Sequence, residues 1–287
     1  MAQLVEQQPA RDEVDEIELA LLLEGVFRRY GFDFREYAPA SLRRRVWRRV
    51  HAEGLTTISA LQDKLLHDPN CMERLLLDLS INVTAMFRDP PFYVAFREKV
   101  VPMLRTYPFT RIWVAGCSTG EEVYSLAMLL REEGVYDRAR IYATDINETV
   151  LERARAGVFP LDKMREYTQN YIRAGGTRAF SEYYVAKYDG AQFQRSLVEN
   201  VVFAQHNLVS DRSFNEFNVI LCRNVMIYFD RALQERVHRL FYESLVTFGV
   251  LALGAKESIR FSAHEDAYEE LDADERLYRK VAEPSTS

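Results

Sequence analysis

Cysteine is scarce: the 287-residue chain has three, Cys71, Cys117 and Cys222. An odd, scattered set in no metal-ligand spacing argues against a disulfide framework and a cysteine metal site, and suits a reducing compartment with structural thiols. Long apolar runs are also missing. Nothing approaches the ~18 residues of a membrane span, and the opening MAQLVEQQPARDEVDEIE has neither the basic nor the apolar part of a secretory signal. A cytoplasmic location without membrane insertion is expected, and no metal. Positive charge is not in excess either. The net charge of −6 argues against general nucleic-acid binding, although a local basic face can persist. No internal repeat or low-complexity segment stands out.

What remains is an ordinary globular composition, long enough for one large or two modest domains. Residues 1–16 are acidic and aperiodic, which predicts a disordered tail. From 17 to 80 the pattern is helical. Ile17, Leu21 and Leu22 form a stripe on a first helix that Gly31 ends; a second helix over 38–52 carries Leu42, Val46 and Val50 at i, i+4 and i+8; shorter helices follow at 58–66 and 72–79. Opposite the second stripe stand Arg44, Arg45, Arg48 and Arg49. They read as a solvated face answering the acidic tail or neighbouring acids, or as a docking face for an acidic helical partner.

Residues 81–110 form a linker and a helix, with Asp89 as N-cap and prolines 90 and 91 in the first turn. The segment from 111 to 287 then alternates strand and helix, the pattern of a doubly wound α/β sheet. Its first unit, RIWVAGCSTGEEVYSLAMLL from Arg111 to Leu130, is a strand, a small-residue turn and a helix opened by Glu121 and Glu122. A second strand ends at Asp145. Between 157 and 200 the alternation breaks, and Asp189-Gly190 marks a hairpin in a small antiparallel insert. Phe217 to Cys222 has no alternation, as in a strand buried on both faces. A helix over 231–247 and a strand over 249–254 follow, and Leu277 to Val281 can close the sheet as an antiparallel strand.

Two chemistries suit the turn at Gly116-Cys117-Ser118-Thr119-Gly120. Its glycines and the following helix N-terminus allow a cofactor to approach the backbone, with Asp145 placed to hold ribose hydroxyls. Two glutamates directly after the turn would repel a pyrophosphate, so an adenosine cofactor with a cationic or zwitterionic end fits better, and S-adenosylmethionine is the natural candidate. Cys117 reads as a small filler in this turn, with a reactive thiol as the alternative. The other reading is a serine esterase, with Gly116-x-Ser118-x-Gly120 as nucleophile elbow and His264 as the one serious histidine candidate. No oxyanion segment precedes the turn, and that reading leaves Asp145 unexplained.

Five segments then stand in order: Asn82-Val-Thr84-Ala-Met-Phe-Arg88-Asp, Ser118-Thr-Gly-Glu-Glu122, Ala143-Thr-Asp145-Ile, His206-Asn207-Leu208 and Cys222-Arg-Asn-Val-Met-Ile-Tyr-Phe229. Together they resemble the signature segments of the chemotaxis receptor glutamate O-methyltransferases, the CheR family, over about Ile17 to Val281. The resemblance implies a class I S-adenosylmethionine-dependent methyltransferase fold: a Rossmann-like doubly wound sheet with a small N-terminal all-helical domain and an inserted antiparallel β-subdomain. It further implies that Asn82, Thr84 and Arg88 reach the cofactor from the linker and that Glu121 touches it from the Gly116 turn. Asp145 would hold the ribose, Asn207 and Leu208 would flank the adenine, and Arg223 with Asn224 would line the methionine end. Taken singly, Asn207 could be a turn residue, Thr84 a cap and Arg88 a partner of Glu98.

By the same resemblance the acceptor is a glutamate in the cytoplasmic helical region of a chemoreceptor or related signalling protein, and the products are a γ-glutamyl methyl ester and S-adenosylhomocysteine. A carboxylate is already ionised near neutral pH, so no catalytic base is required. Arg88 or Tyr228 would position it. The basic helix with Arg44, Arg45, Arg48 and Arg49 would dock the acidic receptor bundle, and the enzyme would act as a monomer. Gly254-Ala255-Lys256-Glu257 departs from the histidine and serine that receptor-methylating members commonly carry before the acid, and the hairpin over 187–193 looks long. Both departures bear on the acceptor and not on the cofactor. The alternative from another class is a non-catalytic S-adenosylmethionine-binding scaffold or sensor.

Overall fold

The computed structural model describes residues 7–79, 84–188, 190–260 and 262–281, with backbone alone for 7–11. They divide into two compact units. One comprises the chain up to Leu79 together with Tyr228–Leu233; the other holds the remainder.

The first unit is helical: α1 (Gln7–Tyr30), α2 (Pro39–Ala52), α3 (Ile58–His67) and α4 (Pro69–Leu79). The expected tail over 1–16 is corrected here, because α1 begins at Gln7; residues 1–6 lie outside the described residues. The acidic run is held in helical form by the arginine and tryptophan of α2. Asp15 is buried, pairs with Arg43 at 2.8 Å and accepts a hydrogen bond from Trp47 Nε1 at 3.1 Å. The phase of α1 also differs from the expected stripe. Leu19, Leu22, Leu23 and Val26 face the core, while Ile17 and Leu21 are exposed. The α2 stripe falls as expected, with Leu42, Val46 and Val50 buried. Gly31, at φ +78°, closes α1 by donating to Phe27 O, a left-handed cap that costs glycine little. Tyr228–Leu233 joins this unit through hydrogen bonds from Ala38 N to Tyr228 O and from Asp230 N to Glu36 O.

The second unit opens with α5 (Pro90–Ala95), a π-helical stretch (Phe96–Val100) and α6 (Val101–Leu104). The stretch expected to be a linker and helix is therefore core: Met86, Phe87, Phe92, Tyr93, Phe96 and Val100 are almost wholly buried in the main hydrophobic cluster. In chain order β1 (Thr110–Ala115), α7 (Glu121–Glu132), β2 (Ala139–Asp145) and α8 (Glu148–Ala156) follow. The insert contributes β3 (Val158–Pro160), α9 (Met164–Arg173), β4 (Tyr184–Lys187) and β5 (Gly190–Phe193). Then come β6 (Val201–Gln205), β7 (Phe217–Cys222), α10 (Arg231–Ser244), β8 (Leu245–Leu253), β9 (Tyr268–Asp272) and β10 (Leu277–Lys280).

The main sheet has the order β6-β2-β1-β7-β8-β10-β9. The first five strands are parallel, and β10 pairs antiparallel to both β8 and β9. Helix α10 stops at Ser244 rather than 247, and β8 starts at once. Strand β9 had no sequence signal, and it takes the edge that β10 was expected to occupy. The insert is a separate antiparallel sheet, β3-β5-β4, whose last strand ends at Phe193; Arg195–Val198 is a 3-10 turn. Asp189 of the hairpin lies outside the described residues. Glu132, at the end of α7, ties the insert down. Its buried carboxylate pairs with Arg97 and accepts hydrogen bonds from the hydroxyls of Tyr171 and Tyr183.

Among the described residues no helix is long and apolar enough to cross a membrane.

Candidate functional site

Parallel strands β6, β2, β1 and β7 lie side by side and end on the same edge of the sheet, so the segments after their carboxyl ends converge. The chain passes from β1 to β2 on one side and returns to β7 on the other. That reversal is the switch point at which open α/β sheets form their ligand crevice.

After β1 the backbone turns sharply. Gly116 and Gly120 have φ of +73° and +96°, and Ser118 also lies in the left-handed region. A Cβ on Gly116 would stand 2.5 Å from Val225 Cγ2, and one on Gly120 would stand 2.8 Å from Ala154 Cβ. Only glycine leaves room at these points. The turn is fastened to β2: Gly116 N and Cys117 N both donate to Thr144 O at 2.8 Å, and Ser118 N donates to Asp145 Oδ2 at 2.9 Å. Asp145 Oδ1 takes a second backbone donor, Asn147 N, at 3.0 Å. Burial pushes the Asp145 carboxyl up from its ordinary range, against the pull of those backbone donors. An ionised carboxylate offers about four acceptor sites, so these backbone donors leave Asp145 capacity for a ribose hydroxyl.

The two glutamates that open α7 differ. Glu121 is buried, which pushes its carboxyl up; it accepts from Thr119 Oγ1 at 2.6 Å and from the Tyr167 hydroxyl of α9 at 3.5 Å. Glu122 pairs with Arg223 Nη1 at 2.8 Å. Arg223 Nη2 also pairs with Asp89 at 3.0 Å, its guanidinium donates to Arg88 O, and its carbon lies 3.9 Å from the Phe92 ring centroid. Arg223 was expected to line the methionine end of a cofactor. In the structure its Nη1 and Nη2 hold the 88–92 segment against α7, while its buried Nε has no partner among the described residues.

That segment is further secured by Phe87 N, which donates to Ser125 Oγ at 2.8 Å, while Ser125 Oγ donates to Glu121 O at 2.7 Å. Arg88 and Thr84 are half-buried on the same stretch. Asn82 lies outside the described residues. After β6, His206 N donates to Asp145 O, and Asn207 Oδ1 caps a tight turn by accepting from Val209 N at 3.0 Å. Asn207 and Leu208 thus stand beside the Asp145 end of β2, with Gln205 registered opposite Asp145.

An acid noted in the sequence only for the residues before it organises the loop after β7. Glu257 is buried, and its carboxylate accepts four backbone N–H groups: Asn224 and Gly254 on Oε2 at 2.9 and 2.7 Å, Val225 and Met226 on Oε1 at 2.8 and 2.7 Å. Hydrogen bonds to a charged group contribute about 1.5–3 kcal/mol each. Burial pushes the Glu257 carboxyl up, and the four donors oppose that shift. Asn224 is held at φ +63°.

Tyr228 belongs to the helical unit, where the Arg45 guanidinium carbon lies 4.9 Å from its ring centroid. The expected docking face on α2 changes accordingly. Arg45 is buried and donates to Leu79 O, and burial pushes its pKa down. Arg48 and Arg49 both pair with Asp78. Arg44 is exposed, with no ion-pair partner among the described residues.

The elbow reading of Ser118 has no support. The His264 ring, the one histidine candidate, is stacked on Tyr242, 4.6 Å between centroids. Cys117 is a buried thiol whose pKa burial pushes well up, as befits a filler.

The donor set fits an S-adenosyl cofactor: an acid with spare acceptor capacity at the end of β2, a turn closed to any side chain at Gly116, and polar ends on β6 and β7. Residues 17–80 match the family described as CheR methyltransferase, all-alpha domain, and residues 82–277 match CheR methyltransferase, SAM binding domain. The Pseudomonas putida protein Cher3 is 50% identical over 92% of this chain and 97% of its own length. Chemotaxis protein methyltransferase 2 of Pseudomonas aeruginosa is 31% identical, covering 84% and 86% of the two chains. A chemotaxis protein methyltransferase of Listeria monocytogenes is 29% identical, covering 82% and 87%.

Proposed function

The chain belongs to the CheR methyltransferase family, with S-adenosylmethionine as its cofactor, and from that premise we propose that it esterifies glutamate side chains in the cytoplasmic helical region of a chemoreceptor or related signalling protein. The observation that carries the reading is the convergence of the Gly116 turn on Asp145, flanked by Asn207 after β6 and Asn224 after β7. Relatives named chemotaxis protein methyltransferase support methylation within a chemotaxis system.

When bound, the cofactor supplies an electrophilic methyl group on a sulfonium centre. Asp145 holds the ribose hydroxyls, Asn207 and Leu208 border the adenine, and Thr84 and Glu121 contact the cofactor from the 84–88 segment and from α7. Asn82 is proposed to join Thr84 there. The glycine turn brings the backbone close to the amino-acid half, and Asn224 lines it. Arg223 acts indirectly, by fixing the segment that presents Arg88. An acceptor carboxylate is ionised near neutral pH, so orientation and exclusion of water are what the residues must provide. Arg88 places that carboxylate, and Tyr228, four residues beyond Asn224 in the chain, is the second positioning group. If Tyr228→Phe leaves both kcat and the acceptor KM unchanged, its hydroxyl has no part.

The test is incubation with radiolabelled S-adenosylmethionine and membranes holding candidate chemoreceptors, scored as base-labile methyl release. The expected result is label on receptor that mild base liberates as methanol. Asp145→Ala should abolish both labelling and S-adenosylhomocysteine binding. Tight cofactor binding without labelling of any acceptor would instead mark a sensor or scaffold.

A further inference from the structure

Glu257 lies well outside the five segments that carry the family resemblance, yet it is the most fully engaged carboxylate at the site. Its two oxygens accept the N–H groups of Asn224, Val225 and Met226 after β7 and of Gly254 after β8. The fit admits nothing else. A Cβ on Gly254 would stand 2.7 Å from Glu257 Oε2 and 2.8 Å from Asn224 N. The loop so gripped is the one that meets the cofactor turn, since Val225 Cγ2 fills the space where Gly116 would carry a Cβ. Position is therefore passed from Glu257 through the backbone of Asn224 and Val225 to Gly116.

We propose that Glu257 is the positioning residue for the amino-acid half of the cofactor. It sets the loop at the carboxyl end of β7 and leaves the adenosine half alone. That half is bordered by the ends of β2 and β6, where Asp145 is fixed by Ser118 N and Asn147 N. The inference rests on the methyltransferase reading of the site and deepens it, because it assigns the two halves of the crevice to two different carboxylates. The chemistry that makes the grip also makes it specific to a carboxylate. All four partners are donors, so an amide in place of the carboxylate would set its own N–H groups against two of them.

The experiment compares two ligands by calorimetry on the full chain: S-adenosylhomocysteine, which has the amino-acid end, and 5′-methylthioadenosine, which lacks it. Glu257→Gln should weaken S-adenosylhomocysteine by about tenfold or more, the size expected when charge-assisted hydrogen bonds are lost. It should leave 5′-methylthioadenosine within about twofold. Loss of folded protein would lower the titration stoichiometry for both ligands equally, so a merely structural role does not move the ratio. Equal weakening of the two ligands, or no weakening of either, overturns the proposal. Should Glu257→Gln not fold, Glu257→Asp keeps four acceptor lone pairs at shorter reach and must show the same selective loss. If the unsubstituted protein binds neither ligand, the cofactor reading itself fails and this inference falls with it; if it binds both and only the selectivity is missing, the cofactor reading stands alone.

Discussion

Arg223 Nη1 lies 2.8 Å from Glu122 Oε1, across a contact between the loop after β7 and the first turn of α7. The same guanidinium reaches Asp89 at 3.0 Å. The glutamate pair that argues against a pyrophosphate is thus not a pair electrostatically. Glu122 is neutralised by a buried arginine, and Glu121 is buried with Thr119 and the Tyr167 hydroxyl as its partners.

Removing that arginine should cost stability first. Arg223→Met strands Glu122 and Asp89, and breaking a buried pair by taking away one partner typically costs about 3–5 kcal/mol. Asp89 is half-exposed, which places the expected loss at the low end, about 3 kcal/mol. A double-mutant cycle with Glu122→Gln should recover about 1–3 kcal/mol of coupling energy in urea denaturation. Additive losses would mean that the two charges are not energetically linked.

Gly116 offers a cleaner probe of the crevice. Gly116→Ala adds a methyl group 2.5 Å from Val225 Cγ2 at φ +73°, whereas Gly134→Ala meets nothing within 4 Å at φ +67°. Both carry the backbone penalty, about 1 kcal/mol. Only the first should also disturb the ligand site. S-adenosylhomocysteine affinity should fall about tenfold or more for Gly116→Ala and stay unchanged for Gly134→Ala, by calorimetry.

The acid sensitivity of the helical unit should trace to Glu53. Its carboxylate sits among Arg74, Lys64 and Arg49, and hydrogen bonds from Arg74 first, then Lys64, hold its pKa down to about 2 from 4.5. A depressed carboxyl pKa contributes stability that is fully present above the unfolded value and is lost as pH falls through the folded one. The window is therefore pH 4.5 down to about 2. Glu53→Gln should be less stable than the parent at pH 7, by about 2 kcal/mol, and the gap should close across that window in denaturant titrations. A gap that persists unchanged at pH 2 would assign the loss to packing.

How much of this was legible in the sequence depends on how local the cause is. Strands β1, β2 and β7 and the turn at Gly116 carry their signal within a few residues, as does Asp145 at a strand end, so fold and cofactor edge could be read directly. The phase of α1 could not. Its sequence offers apolar residues in two sectors, and only packing shows that Leu19, Leu22, Leu23 and Val26 win over Ile17 and Leu21. Strand β9, YEELD, has a charged composition and exists because β10 offers it a partner. The role of Glu257 had no local signature either, since its four donors come from two loops about thirty residues apart that only the β7–β8 pairing brings together. The ion pairs of Arg223 with Glu122 and Asp89 were hidden for the same reason.

The basic helix gives the last test, because its four arginines, alike in sequence, are not alike in place. Arg44 is exposed and unpaired among the described residues, whereas Arg45 is buried over Tyr228 and donates to the final carbonyl of α4, Leu79 O. Arg44→Glu should leave the melting temperature and S-adenosylhomocysteine affinity unchanged, since a surface charge away from partners shifts stability by no more than about 0.5 kcal/mol. If the helix docks an acidic receptor bundle, the same change should raise the receptor KM about tenfold at low salt, with the difference shrinking as ionic strength rises. Arg45→Ala should do the reverse. It leaves the Leu79 carbonyl unsatisfied and uncovers the Tyr228 ring, so stability should fall by about 1–3 kcal/mol. Once the protein is folded, the receptor KM should show no salt-dependent change. Equal effects of the two substitutions on receptor KM would show that α2 is not read by its surface charge.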